Sequence, residues 1–388
     1  MGAAYEAFVL PPKVPLAGYS KRHGKPSTGV RDPVGVRALV VSDGETTAAL
    51  VSADLLIVDE RLADAVRQRL LAQGIPRSLT LLLAATHTHS GPGAYGRRFL
   101  EQLSMGHFDA RVFDAIVDAT ARAVMRAQAA LAPVHVGVQR VETTGLIENR
   151  MVPGGRVDAA LTVVTYSRPD ARDPLAIVIS FAAHPTALGA WNTRLSGDYP
   201  GVVMREVTQR FPRSVALFFA GAVGDQAPVK LGDREQRAER LGVPLAEQVL
   251  ALLPAKTPSE TPDRVRAAQA LMPLPAARVR LGRLRLPSWL GRGLVDDDAT
   301  LTVVRVGTTV FMGAPCDLTT ELGAQLQAAA RARGLQPVVV GFANDYIGYC
   351  VPAALYQQRQ YETTMAFNGP RTGELVVERT IHLLDEVR

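Results

Sequence analysis

The sequence predicts an α/β fold: a mixed, twisted β-sheet flanked by helices. Three observations predict it. Runs of strand-like apolar residues alternate with amphipathic helical runs along most of the chain. Several apolar runs stop abruptly at histidine, aspartate or tyrosine followed by turn residues. Hydrophobic residues make up 47% and charged residues 21% of the 388, enough apolar material for a large core in a soluble globule.

Taken in order, VGVRALVVSD and TTAALVSADLLIV read as strands, DERLADAVRQRLLAQG as an amphipathic helix and SLTLLLAAT as a buried strand. HFDARVFDAIVDATARAVMRAQAAL is helical. It precedes three strands, VHVGVQRVETT, DAALTVVTYS and LAIVISFAAH. PGVVMREVTQRF forms a further helix, SVALFFAGAVGD a strand, and REQRAERLGVPLAEQVLALL a long helix. Residues 254–298 are rich in Pro and Arg, with short pieces such as ARVRLGRLRLP, and are expected to be an irregular excursion of peripheral strands and loops. The sheet resumes at ATLTVVRVGTTVFMGAP, followed by the helix DLTTELGAQLQAAARARG and the strand PVVVGFAN. No internal repeat is visible, and residues 1–388 are expected to form one domain.

The composition excludes several functions. The net charge of +6 is spread along helix faces, so no nucleic-acid surface is expected. No window reaches the eighteen apolar residues of a membrane span, and no basic head with an apolar run marks an export signal. Cys316 and Cys350 make no disulfide framework, and reduced thiols in the cytoplasm are expected. No Walker-type glycine loop, dinucleotide fingerprint or H-E-x-x-H motif occurs. The sequence does not set an oligomeric state.

The chemistry gathers at strand ends. His87 and His89 lie two apart, so in extended backbone both imidazoles face one side. The SGPG that follows brings backbone close to whatever lies there. His184 ends AIVISFAAHP in the same way, before Pro185. Asp317 lies just past TVFMGAPC, with Glu321 four residues on, and Asn344, Asp345, Tyr346 and Tyr349 follow VVVGFA. Each has an ordinary reading: loop histidines, a helix N-cap at Asp317, half-buried tyrosines. Ligands in open α/β sheets collect outside the carboxyl ends of strands, which favours a common site.

The motifs ATHTHSGPG (85–93), ENRMV (148–152), FAAHPTALG (181–189), LSGDYPG (195–201), GAVGDQAPV (221–229), GAPCDLTTELG (313–323) and FANDYIGYCVPAALYQQRQYE with NGPRT (342–372) resemble the neutral, non-lysosomal ceramidases. The likeness runs in order from about Gly18 to near the C-terminus. It implies a zinc-dependent amidohydrolase domain with Zn²⁺ held by His87, His184, Asp317 and Tyr349. Asp317 stands where the family has glutamate, so Glu321 is an alternative ligand. By the same resemblance His89 and Arg150 are a substrate-binding or supporting pair, Tyr361 is a hydroxyl donor near the reacting carbonyl, and Gly18 borders the pocket.

One departure matters for function. The family's Gly-Asp-x-Ser-Pro serine is matched by Ala227, which cannot be a nucleophile. Ceramide hydrolysis by the family's mechanism is therefore not expected. The sequence points instead to water activated on zinc, with His89 or Asp225 moving the proton and Arg150 and Tyr361 stabilising the oxyanion. Ser196 is a candidate relocated hydroxyl, and with Asn344 and Tyr346 it is expected to line the substrate pocket. The expected reaction is hydrolysis of an amide, ester or lactone in a small or lipid-like substrate. Two alternatives stay open: a biosynthetic acyl transfer, cyclisation or rearrangement at the same Lewis-acid site, and a non-catalytic binding protein.

Overall fold

The computed structural model describes residues 1–253, 264–281, 284–291, 293–358 and 360–388. Twelve strands are grouped into three four-stranded sheets. The first comprises β1 (Gly2–Ala7), β2 (Gly35–Ser42), β3 (Thr47–Ala53) and β4 (Thr80–Ala85). The second comprises β5 (His135–Glu142), β6 (Ala160–Ser167), β7 (Pro174–Phe181) and β8 (Val215–Ala220). The third comprises β9 (Val265–Pro273), β10 (Asp298–Val306), β11 (Thr309–Ala314) and β12 (Gln336–Gly341). The helices are α1 (Glu60–Ala72), α2 (Phe99–Met105), α3 (Ala110–Ala129), α4 (Asp198–Arg210), α5 (Arg237–Leu252), α6 (Ser288–Gly291), α7 (Thr320–Arg331), α8 (Tyr361–Thr364) and α9 (Thr372–Glu386).

The three sheets share one plan. In each, the first three strands run antiparallel to their neighbours, and the fourth pairs parallel with the third. A helix makes each parallel crossover, which a parallel pair requires: α1 between β3 and β4, α4 between β7 and β8, α7 between β11 and β12. A unit is thus used three times, with no trace of it at the level of residue identity. The α/β class with mixed pairing is the one the sequence predicts, although the strands divide among three sheets rather than one.

The division is stabilised by a shared apolar core. Leu39, Leu50 and Leu82 from the first sheet, Val164, Val178 and Phe219 from the second, and Val304, Phe311 and Val340 from the third form one buried cluster. Strands buried on both faces read as near-continuous apolar runs, as LTLLLAA and VALFFA do. The outer faces pack against helices: α1 and α3 on the first sheet, α4 and α5 on the second, α7 and α9 on the third. Among the described residues no helix is long and apolar enough to cross a membrane. Cys316 and Cys350 are both buried and free.

The structure adds to and corrects the sequence reading. β1, α2, α6, α8 and α9 are additional elements. Part of the expected excursion is the nine-residue strand β9, paired along its length with β10; residues 254–263 lie outside the described set. β9 was obscured because it is a half-exposed edge strand whose middle, AAQALM, has weak β preference.

Asn344, expected to touch substrate, is instead a buried joint between sheets. Its Oδ1 accepts from the Leu83 amide at 2.9 Å, while Nδ2 donates to the Leu81 carbonyl at 2.7 Å and the Thr302 hydroxyl at 2.8 Å. Its φ of 63° is one that asparagine tolerates better than most residues. Asn344→Ala should lower the unfolding free energy by about 2–3 kcal/mol, because a buried amide loses its acceptor. Asn344→Gly should recover about 1 kcal/mol of that by relieving the backbone. Denaturant unfolding curves check both; a loss below 0.5 kcal/mol (roughly the scatter of surface changes) would contradict the assignment.

Candidate metal centre

Each of the three units sends side chains to one place from the carboxyl ends of its parallel pair. β4 is followed by His87 and His89, β7 by His184, β11 by Asp317, and β12 by Phe342, Tyr346 and Tyr349. The short parallel ladder pairing Asp317 with Tyr349 and Leu318 with Cys350 then fixes the last two segments against each other.

The three histidines meet through their Nε2 atoms. His87 and His184 are 3.0 Å apart, and His89 is 3.1 Å from each. The Nδ1 atoms of two of the rings face backbone carbonyls: His87 Nδ1 lies 2.6 Å from the Leu56 carbonyl and His184 Nδ1 lies 3.3 Å from that of Val223. A carbonyl can only accept, so those Nδ1 atoms carry the protons and their Nε2 lone pairs point at each other. Burial drives the His87 pKa down to about 3, against the help of the Leu56 carbonyl. Burial also drives His89 and His184 well below the ordinary imidazole value. Neutral imidazoles with converging lone pairs are what a cation takes as ligands. Zinc–nitrogen bonds of about 2.0–2.1 Å in a tetrahedron put nitrogens roughly 3.3 Å apart, close to the spacing here.

His87 is under particular constraint. Its φ is 63°, unusual for a residue with a Cβ. Its ring stacks on Phe342 with centroids 3.7 Å apart and planes 3° from parallel. The strained backbone points the ring inward, and Phe342 with the Leu56 carbonyl holds it there.

Asp317 supplies the negative charge. It is fully buried, and its Oδ1 lies 3.5 Å from His87 Nε2 with no hydrogen-bond partner. Its Oδ2 accepts from the Tyr346 hydroxyl at 2.8 Å. Burial pushes its pKa up to about 7, while Tyr346, Arg150 and Tyr349 act in the opposite direction. A buried carboxylate oxygen without a donor, beside two inward imidazole lone pairs and the Nε2 of a third neutral ring, fits a divalent ion. Glu321 is exposed on α7, so Asp317 is the acid that the fold brings to the cluster.

Arg150 and the tyrosines line one side. Arg150 Nη2 donates to the Tyr349 hydroxyl at 2.9 Å and the Gly224 carbonyl at 2.7 Å, and Nε lies 2.9 Å from Glu362 Oε1. Burial opposes the guanidinium charge, but Tyr349, Glu362 and Asp317 raise its pKa above the usual arginine value. Burial also raises the Tyr349 pKa well above the ordinary phenol value. The Tyr361 ring meets the Tyr349 ring edge-on at 5.7 Å and is 63% exposed, which puts it at the rim. Gly18 has φ 106°, and a Cβ there would lie 2.7 Å from His89 Cβ, so only glycine fits.

Three expected site residues have other work. Asp225 accepts from the Thr320 amide and hydroxyl, both at 2.8 Å, and from Asn149 at 2.8 Å, so it braces the start of α7 and is poorly placed to carry protons. The Ser196 hydroxyl is bound to both Asp32 oxygens, at 2.5 and 2.9 Å, which makes it a loop anchor. Tyr346 holds Asp317. His89, expected in a supporting place, has its Nε2 as close to the cluster as the other two. Ala227 lies in a short strand beside the centre; the carbonyl of its neighbour Gln226 accepts from the His184 amide at 3.0 Å. Sequence reasoning missed Phe342 and Glu362, which open and close the FANDY…QYE motif but receive no role in it.

Fold and cluster together define a mixed α/β protein with a metal-ready histidine centre at the strand ends. Comparison with known proteins gives this class its family. The family model for the N-terminal part of neutral/alkaline non-lysosomal ceramidases matches residues 11–241, and the chain belongs to this family of hydrolases. It is similar to the neutral ceramidase of Pseudomonas aeruginosa, 26% identical over 93% of this chain and 68% of the relative. A neutral ceramidase of Mycobacterium tuberculosis is 29% identical over 48% of this chain and 32% of its own length. The crystal structure of the Pseudomonas aeruginosa enzyme superposes with a TM-score of 0.87 over 99% of this chain and 73% of that one, at 21% identity.

Asp317→Ala should cut metal retention by at least about tenfold, because metal ligands and their partners each contribute on that scale. Glu321→Ala should leave it unchanged. Elemental analysis of the purified variants decides; retained metal in Asp317→Ala with loss in Glu321→Ala would reverse the assignment.

Proposed function

We propose that the chain is a zinc-dependent hydrolase of an amide, ester or lactone bond in a small or lipid-like substrate, with water rather than a side chain as nucleophile. The observation that carries this reading is the convergence of three neutral imidazole nitrogens beside the unpartnered oxygen of Asp317. A zinc ion bound there would act as a Lewis acid toward the substrate carbonyl and would acidify a water.

The protein's own groups supply the rest. Asp317, held by Tyr346, and the histidines, held by Leu56, Val223 and Phe342, keep the ligand atoms in place without rearrangement. Arg150 orients the Tyr349 hydroxyl and places a fixed positive charge beside the centre, suited to a developing oxyanion. Tyr361 stands at the mouth, where a substrate passes. The Ala227 methyl group offers no nucleophile, which supports water as the attacking group. It also favours a second reading, acyl transfer or cyclisation at the same centre, in which a hydroxyl or amine of a second substrate takes the place of water.

The experiment is a panel of N-acyl, ester and lactone substrates, ceramide included, assayed with and without chelator. Hydrolysis that chelator abolishes and zinc restores is the expected result, and Ala227→Ser should change it less than fivefold (below about 1 kcal/mol of barrier). Chelator-resistant turnover would sink the proposal. Acylated or cyclised products without net water uptake would move it to the second reading.

A further inference from the structure

Arg22 lies in KRHGK, a basic stretch that reads as solvated, and no motif singles it out. In the structure it ends a single 3-10 turn, Ser20–Arg22, and its side chain turns inward, with only 8% of the residue exposed. Its described hydrogen-bond partners are all backbone carbonyls. Nη1 donates to Ala17 at 2.8 Å and to His89 at 2.6 Å, and Nη2 donates to Gly189 at 3.2 Å. The guanidinium carbon lies 4.8 Å from the centre of the Tyr19 ring, which in turn lies 5.0 Å from the His89 ring. Burial pulls the Arg22 pKa down to about 10, with Tyr19 and Asp198 acting against it, so the group stays charged at neutral pH.

A buried cation bonded only to carbonyls is costly to keep. The three carbonyls explain what it does. Ala17 precedes Gly18, the residue whose missing side chain leaves room for His89. His89 is itself a member of the cluster. Gly189 closes the loop that opens with His184. One side chain therefore ties together three loops around the metal centre. His89 has the greatest need of such a tie. The other two histidines are held by carbonyls at Nδ1, and His87 also by Phe342. The Nδ1 of His89 is buried and has only the backbone of Gly18 near it, without the geometry of a full hydrogen bond.

We propose that Arg22 is a positioning residue that aligns His89 with His87 and His184 and thereby sets the metal affinity of the cluster. This rests on the metal-centre reading above. An arginine suits the task because its planar fork reaches carbonyls in different directions while stacking on Tyr19; a lysine is a point charge on a flexible stem.

The test loads metal-free wild type, Arg22→Lys and Arg22→Met with Co²⁺. It reads affinity by chelator competition, coordination from the visible spectrum, and fold stability from thermal unfolding of the metal-free protein. Arg22→Met should bind Co²⁺ about 10–100-fold more weakly, the usual scale for losing a group that orients a ligand, with an altered visible spectrum. Arg22→Lys should fall between it and wild type, and if Arg22→Met does not fold, Arg22→Lys alone should still show the spectral change and weaker binding. Variants that melt earlier yet keep wild-type affinity and spectrum would show a merely structural role and overturn the inference. A wild type that takes up no Co²⁺ would overturn the metal-centre reading itself, and the inference with it.

Discussion

Three imidazole nitrogens face one another at 3.0–3.1 Å, and for two of the rings the proton is committed to the opposite side of the ring. The inward lone pairs of His87 and His184 repel at 3.0 Å, and neither of these two rings has a hydrogen there to relieve the repulsion. A positive charge at their meeting point reverses the sign of the interaction. Much of the surrounding structure is spent holding this arrangement: the left-handed backbone at His87, the Phe342 stack, the carbonyls of Leu56 and Val223, and the buried carboxylate of Asp317. The left-handed backbone and the buried carboxylate cost stability on their own, and the set makes sense as parts of a pre-formed ligand site.

The architecture explains how residues so far apart in sequence reach one spot. Each unit ends its parallel pair at the same place, so the carboxyl ends of β4, β7, β11 and β12 can all contribute. Parallel pairing needs a helical crossover, and the crossover leaves both strand ends pointing the same way. Three units then deliver side chains to one spot from three directions, which a single open sheet could do only along a line. The braces follow the same logic: Asn344 joins the first and third sheets behind the site, and Asp225 ties the second unit to the start of α7 in the third.

Much of this was legible in the sequence. Apolar runs that end in His87, His184 and Asp317 announce strand-end chemistry, because polar side chains at those positions gain nothing from burial unless something binds them. The family motifs add the same residues in the same order. What stayed hidden depends on pairing across long separations. The partition into three sheets leaves no local mark, since a strand buried on both faces looks alike in one sheet or another. Asn344, Ser196 and Asp225 sit within motifs near the site, and only their hydrogen-bond partners separate a brace from a substrate contact. Arg22 was hidden for the opposite reason, because its charged neighbours Lys21 and Lys25 make an inward side chain look like an outward one.

The central claim is that one cation belongs at the meeting point of these side chains. Anomalous X-ray diffraction from crystals of zinc-loaded protein, recorded on both sides of the zinc absorption edge, tests it most directly. A single strong peak within bonding distance of the converging Nε2 atoms, with the Asp317 carboxylate turned toward it, is the predicted result. A difference map that is flat there, or a peak only at surface histidines, would contradict the account.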